Sequence, residues 1–201
     1  GVAGAQADRS DIARYGLVDD TWVAVRAGVT PASDFLALTA GFSGETDVSV
    51  WRRLLGALDQ LDRIAEGAAR VAIQARVRAL VGPALERLGW EGAARDTDRD
   101  RELRSILIGG LATLGDDPDA QGRVAELFGR YRADSASVDA NIAAAVVRAT
   151  AVAADQALLD EIIDGFRTAS TPQEEQRYLY ALADVRDPLL MAQVLDLAMT
   201  P

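Results

Sequence analysis

The hydrophobic residues of this chain recur at the spacing of amphipathic helices. One run contains Val50, Trp51, Leu54, Leu55, Leu58 and Leu61, and a second contains Ile73, Val77, Leu80, Val81, Ala84, Leu85 and Leu88. Two later runs, Leu103 to Leu114 and Leu158 to Phe166, follow the same 3.6-residue period. No stretch sustains the period of two that marks a strand. The pattern therefore predicts an all-α fold.

Capping residues in front of prolines indicate where helices begin. The pairs are Thr30-Pro31, Asp117-Pro118, Thr171-Pro172 and Asp187-Pro188. In each pair an oxygen can accept a backbone N–H of the first turn, and proline has no N–H to leave without a partner. Thr171 and Glu174 have the spacing of a capping box. Helix ends are indicated by Gly28, Gly89 and Gly115, and Gly82-Pro83 predicts a kink or break inside its helix.

These signals predict about ten helices joined by short breaks. Short connections make successive helices antiparallel, and a run of such hairpins is typical of a HEAT-like or armadillo-like α-solenoid. A compact helical bundle is the structural alternative. Residues 11–201 are assigned to the helical solenoid domain. Residues 1–10 are interpreted as a linker or cloning scar, because the first residues are small and lack the basic n-region of a signal peptide.

Composition narrows the chemistry that the chain can perform. Its net charge is −10 and all 21 basic residues are arginine, so nucleic acid is not an expected partner. The absence of Cys and His excludes disulfides and removes the commonest zinc ligand and catalytic base. No apolar run approaches the ~20 residues of a membrane-spanning helix. We expect no membrane partner and a cytoplasmic location.

Four segments share their order and spacing with a known family. They are Tyr15–Trp22 with Arg26-Ala27-Gly28, Glu45-Thr46-Asp47 with Val50-Trp51, Glu86-Arg87-Leu88-Gly89-Trp90, and Thr171–Arg177 with Ala181-Leu182-Ala183 and Asp187-Pro188. Together they resemble the C-terminal helical domain of the aminopeptidase N and puromycin-sensitive aminopeptidase family of zinc metallopeptidases. The resemblance covers nearly all of the chain from Gly16 onward. It leaves open whether the domain is truncated at Pro201, since some relatives continue with further helices.

The resemblance implies that the parent protein is a zinc metalloaminopeptidase, a hydrolase that removes N-terminal residues from peptides. In this family a thermolysin-like domain holds zinc through a His-Glu-x-x-His helix and a further Glu. The C-terminal domain is a helical solenoid that caps the catalytic domain and encloses a peptide-sized cavity. This chain has no His-Glu-x-x-His, so the resemblance supplies no catalytic, cofactor-binding or metal residue here. The expected partners are the parent's own catalytic domain and the peptide substrate.

Arginines are the remaining candidates for contact with a peptide. A guanidinium fork suits a C-terminal carboxylate, and alternate helices of a solenoid line its binding surface. The candidates are Arg104, Arg148, Arg177 and Tyr178, with Tyr180 also beside Arg177. Each arginine could instead be solvated or form an ion pair within the domain. The mixed-charge segment Arg95–Arg104 is interpreted as a solvated loop leading into a helix.

The leading interpretation is a substrate-enclosing domain that acts as a lid and is not itself an enzyme. Two other classes stay open. One is a free-standing helical-repeat scaffold that binds a protein partner on its concave face. The other is an independent enzyme, which would have to use carboxylates, hydroxyls and arginines, although no constellation of them stands out.

Overall fold

The computed structural model describes residues 10–199, and every regular element in this range is helical. The helices are α1 (Asp11–Arg26), α2 (Ala32–Thr39), α3 (Val48–Asp62), α4 (Gly67–Leu88), α5 (Asp98–Gly109), α6 (Pro118–Ala133), α7 (Ala140–Val152), α8 (Gln156–Thr168), α9 (Pro172–Leu182) and α10 (Pro188–Met199). Short 3₁₀ turns occupy Ala40–Phe42 and Ser135–Ser137, and a π-helical turn, Gly110–Leu114, continues α5. Within this part of the chain there is no strand, which confirms the predicted all-α class and the number of helices. The predicted linker, apart from Ser10, lies outside the described residues.

The helices form two compact units. Unit 1 ends at Asp117 and contains α1 to α5, and unit 2 begins at Pro118 and contains α6 to α10. The boundary follows the π-helical turn and Asp116, a non-glycine residue with φ of 46°. Each unit has its own apolar core.

The core of unit 1 is built around α3, which packs against α1, α4 and α5. The apolar face predicted from the sequence is the buried one: Val50, Trp51, Leu54, Leu55, Leu58 and Leu61 are all buried. Removal of this much apolar surface from water is the main force that holds the unit together.

The helices of unit 2 alternate between two layers. Helix α7 packs against α6 and α9. On the other side, Arg132 of α6 pairs with Asp164 of α8 at 2.7 Å. Gln156 of α8 exchanges hydrogen bonds of 3.1 and 2.8 Å with Gln193 of α10. Helices α6, α8 and α10 therefore form one layer and α7 and α9 the other, as in stacked helical hairpins. The solenoid arrangement of the whole chain stays a prediction.

A buried carboxylate fixes the entry to α3. Glu45 accepts hydrogen bonds from Arg14 Nε (2.7 Å), Arg14 Nη2 (2.9 Å) and the backbone N–H groups of Thr46 and Asp47 (both 2.8 Å). The carbonyl of Glu45 accepts the Nε1–H of Trp51 at 3.0 Å. Burial opposes the charge of Glu45, but Arg14 and the two backbone groups outweigh it and lower its pKa. The Glu-Thr-Asp and Trp motif is thus one hydrogen-bonded structure.

Most predicted helix ends are confirmed, but the Glu174 side chain binds a different residue from the one that the capping box predicts. Asp187 caps α10, Gly89 ends α4 with φ of 81°, and Thr171 Oγ1 accepts the N–H of Glu174 at 3.2 Å. The Glu174 carboxylate does not complete the capping box. Its Oε2 accepts instead from the N–H and hydroxyl of Ser170, each at 2.9 Å.

One local prediction is wrong, and one of the two outcomes offered for Gly82-Pro83, a break, does not occur. Thr30 does not cap α2, because the helix begins one residue later and Pro31 occupies the cap position without a side-chain hydrogen bond. Pro83 does not break α4, which runs through it to Leu88. A proline in this position removes one helical hydrogen bond. The burial of Val81 and Leu85 on either side of it compensates for that loss.

A glycine lets α8 and α9 approach each other closely. A Cβ atom added to Gly165 of α8 would lie 2.4 Å from Cζ of Tyr178 in α9. Tyr178 is fully buried, so its ring cannot move aside into solvent. The missing side chain at Gly165 therefore provides the space that this ring fills.

We predict that Glu45→Gln lowers the free energy of unfolding by about 3 kcal/mol at neutral pH, because it removes the carboxylate charge from this largely buried ion pair. Folding lowers the pKa of Glu45, so its contribution is present above the ordinary carboxyl pKa of about 4.3 and is lost as pH falls. Urea unfolding of wild type and variant across this range should show the difference shrinking in acid. A difference that is independent of pH would contradict the electrostatic assignment.

We also predict that Gly165→Ala destabilises the chain by about 1–3 kcal/mol, because the new methyl group overlaps the Tyr178 ring. Gly122→Ala in α6 is the matched control: nothing lies within 4 Å of the added Cβ. It should stabilise the chain by up to about 1 kcal/mol through helix propensity. Thermal unfolding of both variants measures the contrast, and equal effects would refute the close-packing explanation.

Candidate functional site

Arg104 lies in the interior of unit 1. Its side chain has 0% exposure and forms an ion pair with Asp96 at 2.7 Å. Its Nε donates to the carbonyl of Gly89 at 2.9 Å and its Nη2 to the carbonyl of Leu88 at 3.2 Å. Arg104 thus ties α5 to the end of α4, which corrects the expectation that the Arg95–Arg104 segment is solvated to its end. A peptide cannot reach this guanidinium in the folded unit.

Arg148 lies on the surface of unit 2. It extends from α7 to Asp184, just beyond α9, with Nε and Nη2 contacts of 2.7 and 3.1 Å to the two carboxylate oxygens. The Arg148 side chain is 66% exposed. The Arg148–Asp184 ion pair links α7 to the end of α9 at the solvent-exposed side of their layer. An exposed ion pair of this kind contributes about 1 kcal/mol or less to stability.

Tyr178 and Tyr180 have opposite environments on α9. Tyr178 is 1% exposed, whereas Tyr180 is 66% exposed. The Tyr178 ring packs against Gly165 and lies 6.1 Å from the ring of Tyr131 in α6. Tyr178 is therefore part of the core, and Tyr180 is the tyrosine that a ligand could touch.

Arg177 sits between these environments. It is partly buried, its Nη1 donates to the hydroxyl of Tyr131 at 2.6 Å, and its guanidinium lies 5.4 Å from the centre of the Tyr131 ring. This is the geometry of a cation–π contact. Among the residues that the structure describes, no carboxylate forms an ion pair with Arg177.

Two arginine–tyrosine contacts cross between α6 and α9. The hydroxyl of Tyr131 in α6 accepts a hydrogen bond from Arg177, and the charge of the neighbouring Arg132 acts on the hydroxyl of Tyr178. We call these four residues the Arg–Tyr clasp. Arg132 also forms an ion pair with Asp164 at 2.7 Å. Of the two arginines in the clasp, Arg132 therefore has a carboxylate partner, whereas Arg177 has none among residues 10–199.

Burial sets the protonation of the clasp. It raises the pKa of both tyrosines above the usual value, although the neighbouring arginines pull in the other direction. Burial likewise opposes the charge of Arg132, but its contacts with Tyr178 and Asp164 outweigh this and raise its pKa. The two tyrosines therefore stay neutral and Arg132 stays charged across the physiological pH range.

One side of α9 carries the accessible groups in a row. Arg177 and Tyr180 are three residues apart on α9 and therefore share a face. Asp184 follows just beyond the end of the helix, and Arg148 joins this row through its contacts with Asp184. The row offers two guanidinium groups and an exposed aromatic ring. These are the group types that can contact a carboxylate and a peptide chain.

The residues that the structure describes do not fit a zinc centre. Between residues 10 and 199 no three carboxylates come together in a way that could hold a metal ion, and the sequence has no His or Cys. The zinc that the resemblance implies therefore has no ligand set here.

Sequence reasoning missed Tyr131 and the role of Glu174. The only signal was the pair of dipeptides Tyr131-Arg132 and Arg177-Tyr178. Nothing local indicates that residues 46 positions apart would meet.

In the part of the chain that the structure covers, no helix has the length and apolar character needed to cross a membrane.

Comparison with known proteins agrees with the resemblance found in the motifs. Aminopeptidase 2 of Candida albicans is 27% identical over an alignment of 201 positions that covers 98% of this chain and 22% of that protein. Aminopeptidase A of Gloydius brevicauda is 29% identical over 91% of this chain and 19% of its own length. Glutamyl aminopeptidase of Mus musculus is 26% identical, with shares of 94% and 20%. The chain thus spans about a fifth of the length of these relatives. Residues 2–201 match the sequence model of the ERAP1-like C-terminal domain, and the chain belongs to that family.

Proposed function

We propose that this chain is the substrate-enclosing domain of a zinc-dependent aminopeptidase that removes N-terminal residues from peptides. The observation that carries the proposal is the family match over residues 2–201. The names of the relatives, all aminopeptidases, support the class of reaction. Because the described residues fit no zinc centre, the metal and the bond cleavage belong to a catalytic domain elsewhere in the parent protein.

The role proposed for this chain is steric and positional. Its partners are the parent's catalytic domain and the peptide, whose N-terminal end reacts while the remainder lies against the helices. In the Arg148, Arg177 and Tyr180 row, a guanidinium can hold the peptide's C-terminal carboxylate. Arg104 and Tyr178 are buried and contribute by holding their units together. Movement of the domain as a lid would admit and release the peptide.

The proposal includes a cytoplasmic location and stacked HEAT-like hairpins. The lack of cysteine means that the domain gains no disulfide from an oxidising compartment. The alternating layers of unit 2 support the hairpin repeat. Fractionation of cells that express the parent protein tests the location directly.

The proposal is tested first with the isolated chain. Assayed with zinc and an aminoacyl amide, it should show no hydrolysis, and clear turnover would contradict the non-catalytic role. Mixed with the parent's catalytic fragment, it should bind that fragment and change its preference for peptide length. Absence of both effects would favour a free-standing scaffold for another protein.

We predict that Arg177→Ala in the parent enzyme raises KM for long peptides about tenfold and leaves hydrolysis of aminoacyl amides unchanged. A charge-assisted hydrogen bond is worth about 1.5–3 kcal/mol, and only long substrates reach this residue. Arg167→Ala, which removes an exposed arginine from α8 in the other layer, is the matched control. If Arg177→Ala affects short and long substrates equally, Arg177 has a structural role and the peptide contact is refuted.

A further inference from the structure

Glu174 and Arg177 stand three residues apart on α9, a spacing at which opposite charges ordinarily pair on a helix. In the region that the structure describes, they do not form such a pair. Each of the two side chains is bound to other groups, and both are bound to the hydroxyl of Tyr131.

Both oxygens of Glu174 are engaged elsewhere. Oε2 accepts from the N–H and the hydroxyl of Ser170, each at 2.9 Å. Oε1 accepts from the hydroxyl of Tyr131 at 3.3 Å. The hydrogen bonds from Ser170, followed by the one from Tyr131 and by the nearby charge of Arg177, lower the pKa of Glu174. The two charged groups therefore act on each other, but the contact between them runs through the Tyr131 hydroxyl and not through a direct ion pair.

The same Tyr131 hydroxyl engages Arg177 from the other side. It accepts one N–H from Nη1 at 2.6 Å, and the ring lies against the guanidinium. The Nε and Nη2 groups of Arg177 have no partner among residues 10–199. By contrast, Arg132 is neutralised by Asp164 at 2.7 Å. The Arg–Tyr clasp therefore retains one guanidinium without an ion pair, in a chain whose net charge is −10.

We propose that Tyr131 is a positioning residue that stands between Glu174 and Arg177 and keeps the Arg177 fork available for a carboxylate of the bound peptide. Its hydroxyl occupies the Glu174 oxygen that would otherwise turn to Arg177. Its ring fixes the plane of the guanidinium. This inference rests on the proposed function, since it assumes that Arg177 meets the peptide.

Tyr131→Phe in the full-length enzyme tests the inference. The variant retains the ring and its packing against Tyr178 but removes the hydroxyl, so Glu174 is free to pair with Arg177. We expect KM for long peptides to rise about fivefold, with kcat and the hydrolysis of aminoacyl amides unchanged. Adding Glu174→Gln removes the competing charge and should restore KM to within about twofold of wild type.

Tyr178→Phe is the matched control, because it removes the hydroxyl of the other tyrosine in the clasp, which faces the already neutralised Arg132. It should leave KM for long peptides unchanged. If the two Phe variants raise KM equally, or if Glu174→Gln does not rescue Tyr131→Phe, the effect is structural and the positioning role is overturned. Thermal unfolding of each variant shows whether a change in KM accompanies a loss of fold.

Arg177→Ala separates the two levels of the proposal. If Arg177→Ala raises KM for long peptides selectively while Tyr131→Phe behaves as wild type, the peptide contact of Arg177 is supported and the positioning role of Tyr131 is refuted. If Arg177→Ala has no selective effect, the contact itself is refuted and the positioning role is refuted with it.

Discussion

Arginine forks give the helices of this chain their directional contacts. Packing of Ala, Leu and Val is strong but non-directional, and only 5% of the residues are aromatic. Specific geometry comes instead from guanidinium groups: Arg14 on Glu45 at the entry to α3, Arg104 on Asp96 and Gly89 after α4, and Arg177 on Tyr131 across unit 2. Each fork joins a helix to a group distant in sequence. A lysine could not replace it, because a single ammonium lacks the planar set of donors.

The partners of each guanidinium group distinguish arginines with a structural role from arginines that could contact a ligand. The buried Arg104 donates through Nε and Nη2 to two carbonyls and a carboxylate of its own unit. An exposed fork such as Arg148 meets Asp184 in solvent, where the pair contributes little. Arg177 differs from both because it is held in place by a neutral hydroxyl. It is therefore ordered without a direct ion pair among residues 10–199, and a group that binds a carboxylate has to be held in place in this way.

This arrangement also suits an acidic domain. With a net charge of −10, the surface as a whole repels a free carboxylate. A peptide carboxylate must therefore be attracted by a local positive group that has no carboxylate paired directly with it. Tyr131 supplies that condition by separating Glu174 from Arg177, and the exposed ring of Tyr180 in the same row adds apolar contact area beside the charge.

The sequence by itself determined the helices, the buried face of α3, the caps at Thr171 and Asp187, and the family, because these depend on residues within a few turns of one another or on motifs in order. Tertiary structure alone decided the division after Asp117, the burial of Arg104 and Tyr178, and the meeting of Tyr131 with Arg177. Periodicity reports which face of a helix is apolar but not which helix covers it. An arginine, with its apolar stem and charged end, is compatible with either environment until its neighbours are in place.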